Sequence, residues 1–310
     1  MGQLLRDSEA PGEREFAITC DAYGGDRHRS FSFDRWVSRR NCSGVKIALV
    51  TSGEDSLEPR KTETIIHVSM DAVSITWPKV GRFVIRRGSE IIIQPAPGVL
   101  EATLRLFALG PAMAVMLHQR GRLVLHGSAV VFGGTAFGFL GASGWGKSTL
   151  ASLLHRRGHR FLTDDVLAVD LKHGRAVAPG LPELKLWPDT AAALGHDPDA
   201  LPRLHPRVQK RARRITHGFA RRPIPLGRLF VLAQGTAPAI EPLRPQEALV
   251  ELLRHSYGAR TLQAIRTAEH FRQCAQVAAQ IPVARLRFPR SFTLLDRVAR
   301  LVEEYCGHAS

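Results

Sequence analysis

The chain has 310 residues, of which 44% are hydrophobic and 23% charged, and its 43 Lys and Arg outnumber 28 Asp and Glu for a formal net charge of +15. That length gives one large or two modest domains an ample core, and the composition is that of a soluble globular protein. Four scattered cysteines, Cys20, Cys42, Cys274 and Cys306, contain no CxxC pair, which sets aside a zinc site or a disulfide scaffold and fits a reduced cytoplasm.

The N-terminus, MGQLLRDSEAPGEREF, lacks an apolar signal core, and Arg6 stands where a myristoylation motif wants Ser or Thr. The longest apolar run, Leu106 to Leu117, has 12 residues with Gly110-Pro111 inside it, too short for a membrane span. A cytoplasmic protein without a membrane partner is expected. The basic surface attracts anions: nucleotide, acidic peptide, nucleic acid or anionic lipid.

Residues 1 to about 15 are polar and read as loose. From Glu15 to Gln94, β-type segments recur: EFAITC, GVKIALVT, TETIIHVSM, AVSITW and RFVIRRGSEIIIQ, the last with Arg87-Gly88-Ser89 as a hairpin signal. These define a β-rich N-terminal region, residues 1–98, closed by Pro95-Ala96-Pro97-Gly98. A second region, 99–310, opens with helical spacing from Val99 to Gln119, broken at Gly110-Pro111. Gly121 to Phe132 then reads as strand, Gly133-Gly134 as a two-residue turn, and Thr135 to Leu140 as a buried strand.

Between that strand and the helical run Ser148 to His155 lies Gly141-Ala142-Ser143-Gly144-Trp145-Gly146-Lys147-Ser148-Thr149. This is the phosphate-binding G-x-x-x-x-G-K-S pattern in its proper strand-to-helix setting. Its glycines let backbone N–H groups turn toward phosphate oxygens, Lys147 reaches the β/γ-phosphates, and Ser148 holds Mg²⁺. ATP and Mg²⁺ are thus the expected ligands.

Gly158 ends the loop helix and Phe161 to Val169 reads as one strand containing Asp164-Asp165. Burying an unpaired charge is expensive, so this pair should face a metal, a cation or a cleft. Leu181 to Pro188 reads as extended, and Asp189 to Gly195 as a short capped helix. Arg203 to Arg222 carries eight Lys or Arg and no acid; it is either a solvated helix face or mobile loop, or a clamp for an acidic or phosphate-bearing partner. With Phe219 its only aromatic, a nucleic-acid platform is not favoured. Leu226 to Ala233 and Val283 to Phe288 read as strands; Pro245 to Tyr257, Ala259 to Ala279 and Thr293 to Tyr305 read as helices. The mixture lacks strict alternation, giving an α/β chain of α+β character.

Leu125-His126-Gly127, the GASGWGKST loop and RRGHRFLTDD, in that order and spacing, resemble the catalytic domain of HPr kinase/phosphorylase. They more closely resemble the HPr-kinase-like serine kinases associated with lasso-peptide biosynthesis. More distantly, the loop and Asp pair look like phosphoenolpyruvate carboxykinase. GRFVIRRGSEIIIQP before a long helix is also similar to the lasso-associated proteins. The resemblance implies a P-loop catalytic domain of the carboxykinase-like, HPr-kinase C-terminal type over 99–310. It implies Lys147 on the β/γ-phosphates, Asp164 as the base for the acceptor hydroxyl, His126 beside the pair, and Ser148, Asp165 and Glu183 on the metal side. His126 by itself reads equally as a core histidine. Thr149 stands where HPr kinases carry an acid or amide, and Lys185-Leu186 where they carry Arg-Gly. The implied activity is ATP-dependent phosphorylation of a seryl hydroxyl on a peptide or small protein, with a lasso-peptide precursor as leading acceptor; a homo-oligomer is compatible with this. The alternative is a nucleotide-binding regulator that uses the basic stretch on nucleic acid.

Overall fold

The computed structural model describes residues 13–18, 45–50, 63–258 and 267–307. The chain divides into two units, Met1–Ala108 and Leu109–Ser310.

In the first unit, β1 (Glu13–Ile18), β2 (Val45–Val50), β3 (Ile65–Val68), β4 (Ala72–Trp77), β5 (Gly81–Arg86) and β6 (Glu90–Pro95) form one sheet in the order β1-β2-β6-β5-β4-β3. Only β2 and β6 pair in parallel. Period-two alternation decides the buried face: Phe83 and Ile85 on β5 and Ile91 and Ile93 on β6 point inward, while Arg82 and Arg86 face solvent. The β5–β6 turn holds Arg87 (φ 49°) and Gly88 (φ 64°) in left-handed conformations, which suits a hairpin's twist. The Phe107 ring of α1 (Glu101–Phe107) packs edge-on against Trp77 at 4.9 Å.

The second unit begins in a π-helical turn, Ala108–Ala112, which leads into α2 (Met113–Gln119). Pro111 has no N–H to give, so the expected break at Gly110-Pro111 becomes a widened turn. There follow β7 (Leu123–Phe132), β8 (Thr135–Leu140), α3 (Lys147–Arg156), β9 (Arg160–Thr163), β10 (Val166–Asp170), β11 (Ala176–Val177), β12 (Glu183–Leu186) and α4 (Pro188–Ala193). Then come β13 (Arg203–His205), β14 (Val208–Arg214), β15 (Ile224–Gln234), β16 (Ala239–Pro242), α5 (Pro245–Arg254), α6 (Thr267–Gln280), β17 (Val283–Phe288) and α7 (Leu295–Gly307).

The main sheet runs β11-β10-β7-β8-β15-β17-β16, with β9 beside β7 and β11 also touching β15. Strands β8, β15 and β17 are parallel. One apolar layer joins Phe139, Phe161 and Phe230 to Leu150 and Leu154 of α3 and Val298 and Val302 of α7. On the other, Leu125, Leu140 and Leu167 meet Leu252 of α5 and Val277 of α6. The unit is thus a mixed α/β fold with helices covering both faces of its sheet.

Three local expectations are corrected. Phe161 to Val169 is not one strand: β9 and β10 both lie along β7 but are separated at Asp164-Asp165. Asp189 does not cap α4; its N-cap is Trp187, with no side-chain cap, and Asp189 Oδ1 accepts from the Thr190 N–H instead. The basic stretch is neither helix nor loose loop through its first half. Strands β13 and β14 pair there and dock on β12 as a three-stranded sheet. Arg211 is only 4% exposed and donates to the carbonyls of Pro198 and Gln209 and, at 3.5 Å, to Asp199 Oδ1, so its partners come mainly from backbone oxygens and from an acid outside the basic stretch. The first part of the helix expected from Ala259 lies outside the described residues.

Candidate active site

Strand β8 delivers the loop. Its outgoing residue Gly141 has φ 155°, and Gly144 and Gly146 have φ 80° and 87°, values an L side chain resists. A Cβ on Gly141 would sit 3.4 Å from the Cβ atoms of Leu232 and Trp145. Gly146 is the N-cap of α3 and no side chain caps that helix, which leaves its first N–H groups for an anion. Ser143 is exposed, Trp145 partly so, and Thr149 is buried. Arg290 ties the loop from outside, donating to Gly144 O at 2.8 Å with its guanidinium 5.8 Å from the Trp145 ring centre.

Lys147 is 6% exposed, and its Nζ donates to Gly141 O at 2.8 Å and Ala142 O at 3.0 Å. Burial lowers its pKa to about 8; Asp164 and Asp165 oppose that shift, and the Lys210 ammonium adds to it. A cation under this much desolvation gains from any phosphate that reaches it.

Asp164 and Asp165 sit where β9 gives way to β10. Ala129 faces Thr163 and His126 faces Val166, so the pair falls opposite Ser128 and Gly127. The Val166 N–H donates to Asp164 O across Asp165, whose φ is 76°. This is a γ-turn with a left-handed Asp at its centre, a strained conformation that surroundings must enforce. The enforcement is visible. Asp164 Oδ1 accepts from Ser148 Oγ at 2.8 Å and from Ser128 Oγ at 2.6 Å, and Oδ2 accepts from the Lys185 N–H at 3.0 Å. Asp165 Oδ1 lies 3.1 Å from His126 Nδ1, and its Oδ2 accepts from Lys185 Nζ at 2.7 Å. Burial alone would push the Asp165 carboxyl up, but the His126 hydrogen bond and the Lys185 ammonium outweigh it and hold the group well below the usual range. Lys185 is likewise pulled down by burial and raised on balance by Asp165.

The structure therefore brings His126, Lys147, Ser148, Asp164 and Asp165 together. It sets Ser148 against Asp164. Glu183 stands two residues before Lys185 on the same face of β12, close enough for its charge to be felt there. Among the described residues, no three His, Cys, Asp or Glu side chains form a group that could hold a metal.

Beside the loop opens a cleft of about 340 Å³ lined by His126, Gly141, Ala142, Arg254, Tyr257 and their neighbours. The segment after α5 is pinned to β7: His126 N–H donates to His255 O at 2.7 Å, and Tyr257 N–H to Val124 O at 3.0 Å. The Tyr257 ring stands edge-on to His126, centres 5.5 Å apart. Sequence reasoning missed Ser128, Lys185 as the partner of both carboxylates, Tyr257 and Arg290. Ser128 had a signal, since period two puts it on the same side of β7 as His126.

No family model matches the chain, and no curated protein matches it. Among solved structures it is similar to the HPr(Ser) kinase/phosphatase from Coxiella burnetii, at 11% identity and a TM-score of 0.30, over 60% of this chain and 93% of that chain.

Proposed function

We propose that the protein is an ATP-dependent serine kinase that transfers the γ-phosphoryl group to a seryl hydroxyl of a peptide or small protein. The sequence resemblance favours a lasso-peptide precursor as acceptor. One observation carries the reading: a glycine loop opening a helix meets, through the Ser148–Asp164 hydrogen bond, a turn that holds two ionisable carboxylates. A nucleotide switch needs a metal but has no use for a second carboxylate aimed at an outside hydroxyl.

Lys147 and the first N–H groups of α3 would hold the β- and γ-phosphates. Ser148 Oγ and Asp164 Oδ1, hard oxygens 2.8 Å apart, fit Mg²⁺, which takes one or two protein ligands and fills its shell with phosphate oxygens and water. Bound there, Mg²⁺ would neutralise charge on the phosphate oxygens. In the transfer, the acceptor oxygen bonds to the γ-phosphorus as the bond to the β-bridging oxygen breaks, ADP leaves, and a carboxylate takes the hydroxyl proton. The resemblance gives that proton to Asp164. The contacts favour a different division of labour: both carboxylates are engaged, but Asp164 bonds Ser148 of the loop, whereas Asp165 bonds His126, which lines the cleft. We assign Asp164 to the metal side and Asp165 to the acceptor. Phosphoryl transfer has a loose transition state, so a low-pKa carboxylate suffices to orient the hydroxyl and accept its proton.

Purified protein incubated with labelled ATP·Mg²⁺ and an array of Ser-containing peptides should label a subset of them, and Lys147→Ala should label none. ATP binding with no transfer to any peptide, joined to salt-dependent DNA binding, would instead establish the regulator.

A further inference from the structure

Among the polar groups lining the cleft beside the loop, which the proposed chemistry leaves largely unused, the Tyr257 hydroxyl stands out. Tyr257 is mostly buried, which with help from the Asp165 charge pushes its phenol well above the ordinary value, so it is a neutral hydrogen-bond donor at any working pH. Its hydroxyl makes no hydrogen bond with any described residue, yet it is not sealed: among those residues only His270 Nδ1 is both buried and unbonded. Such a hydroxyl is oriented for something that arrives from the cleft.

Its position is fixed by contacts to the backbone, to the ring and behind the hydroxyl. The backbone is tied to β7 through Val124 O, and Leu125 and Ser256 form an isolated bridge. The ring is braced by His126. Behind the hydroxyl stands the π-helical turn, where a Cβ on Gly110 would lie 3.0 Å from Tyr257 Oη and 3.9 Å from Asp165 Oδ2. Gly110 thus lets the phenol and the carboxylate approach the same spot, and the cleft lining continues from Tyr257 to Gly141 and Ala142 at the foot of the loop.

We infer that Tyr257 is the acceptor-binding residue of this site: its hydroxyl donates to the hydroxyl-bearing segment that enters the cleft and holds the acceptor oxygen between Asp165 and the loop. The inference rests on the kinase reading and adds which wall of the site selects and orients the acceptor. Nothing in this role touches the nucleotide, so acceptor and ATP parameters should separate.

The test uses the full chain and whichever peptide of the Ser-containing array the wild type labels best. Tyr257→Phe, which removes one oxygen, should lower kcat/KM for that peptide about five- to tenfold, mainly through KM. The Kd for ATP and the slow hydrolysis of ATP by water should stay at wild-type values. Gly110→Ala approaches from the other side by crowding the hydroxyl, and should give the same pattern. Unchanged peptide kinetics in Tyr257→Phe, or a loss shared equally with ATP hydrolysis, would overturn the inference while leaving the kinase reading intact. A wild type that labels no peptide would overturn both.

Discussion

Asp164 and Asp165 are chain neighbours that share Lys185 but otherwise differ in partners, Asp164 joined to Ser128, Ser148 and the Lys185 N–H, Asp165 to His126 and the Lys185 ammonium. Their substitution should therefore fail in different ways. Asp164→Asn is expected to raise the Mg²⁺ concentration needed for half-maximal transfer, whereas Asp165→Asn should cut kcat by about 10²–10⁴-fold with ATP affinity kept, as single-turnover assays with peptide would show. Asp165 also contributes to stability, because its carboxyl titrates below the ordinary 3.8 in the folded chain. That contribution is complete above the ordinary value and is lost progressively as pH falls from there through the lower folded value, so wild-type melting temperature should drop more steeply in acid than that of Asp165→Asn. Lys147 runs the other way. Its pKa of about 8 means the unfolded chain binds the extra proton between there and 10.5, so stability gains from this group as pH rises. On the kinase reading, nucleotide binding should lose by the same rise, since a neutral amine holds phosphate poorly. ATP affinity, followed by Trp145 fluorescence, should weaken as pH climbs past about 8, and Lys147→Arg should flatten the profile.

At the level of elements, the strand, loop and helix from Thr135 to Arg156 were legible because hydrophobic period switches from two to 3.6 across a glycine-rich stretch. The Gly133-Gly134 hairpin was legible from its turn chemistry, and both residues do take positive φ. The break at Asp164-Asp165 was not, because apolar residues continue on both sides and a γ-turn of this kind is set by the partner strand. Tyr257 was invisible for a similar reason: only tertiary pairing with Val124 carries it to His126. The basic hairpin was read by charge, which masked the alternation that turns Arg211 inward and leaves Arg214 exposed. A consequence follows for mutagenesis. Arg211→Ala strands two carbonyls and should cost about 2–3 kcal/mol in urea unfolding, whereas Arg214→Ala should fall within about 0.5 kcal/mol of wild type.

For the molecule as a whole, the candidate site lies entirely within Leu109–Ser310. Nucleotide should therefore stabilise that unit by mass action, and a melting temperature that climbs with ATP·Mg²⁺ concentration in wild type but not in Lys147→Ala would show it. The strand order adds a timetable. Strand β8 gains its first neighbour at once, through the two-residue turn from β7, but its second, β15, is not synthesised until residues 224–234. Until then a nascent chain on the ribosome would carry the glycine loop on a hairpin with a bare edge, without Leu232 behind Gly141 or Arg290 across Gly144. On the kinase reading, capacity to take up nucleotide would thus be one of the last properties to emerge during translation, and a truncated product lacking the final third of the chain would be inert toward ATP as well as prone to edge-to-edge aggregation.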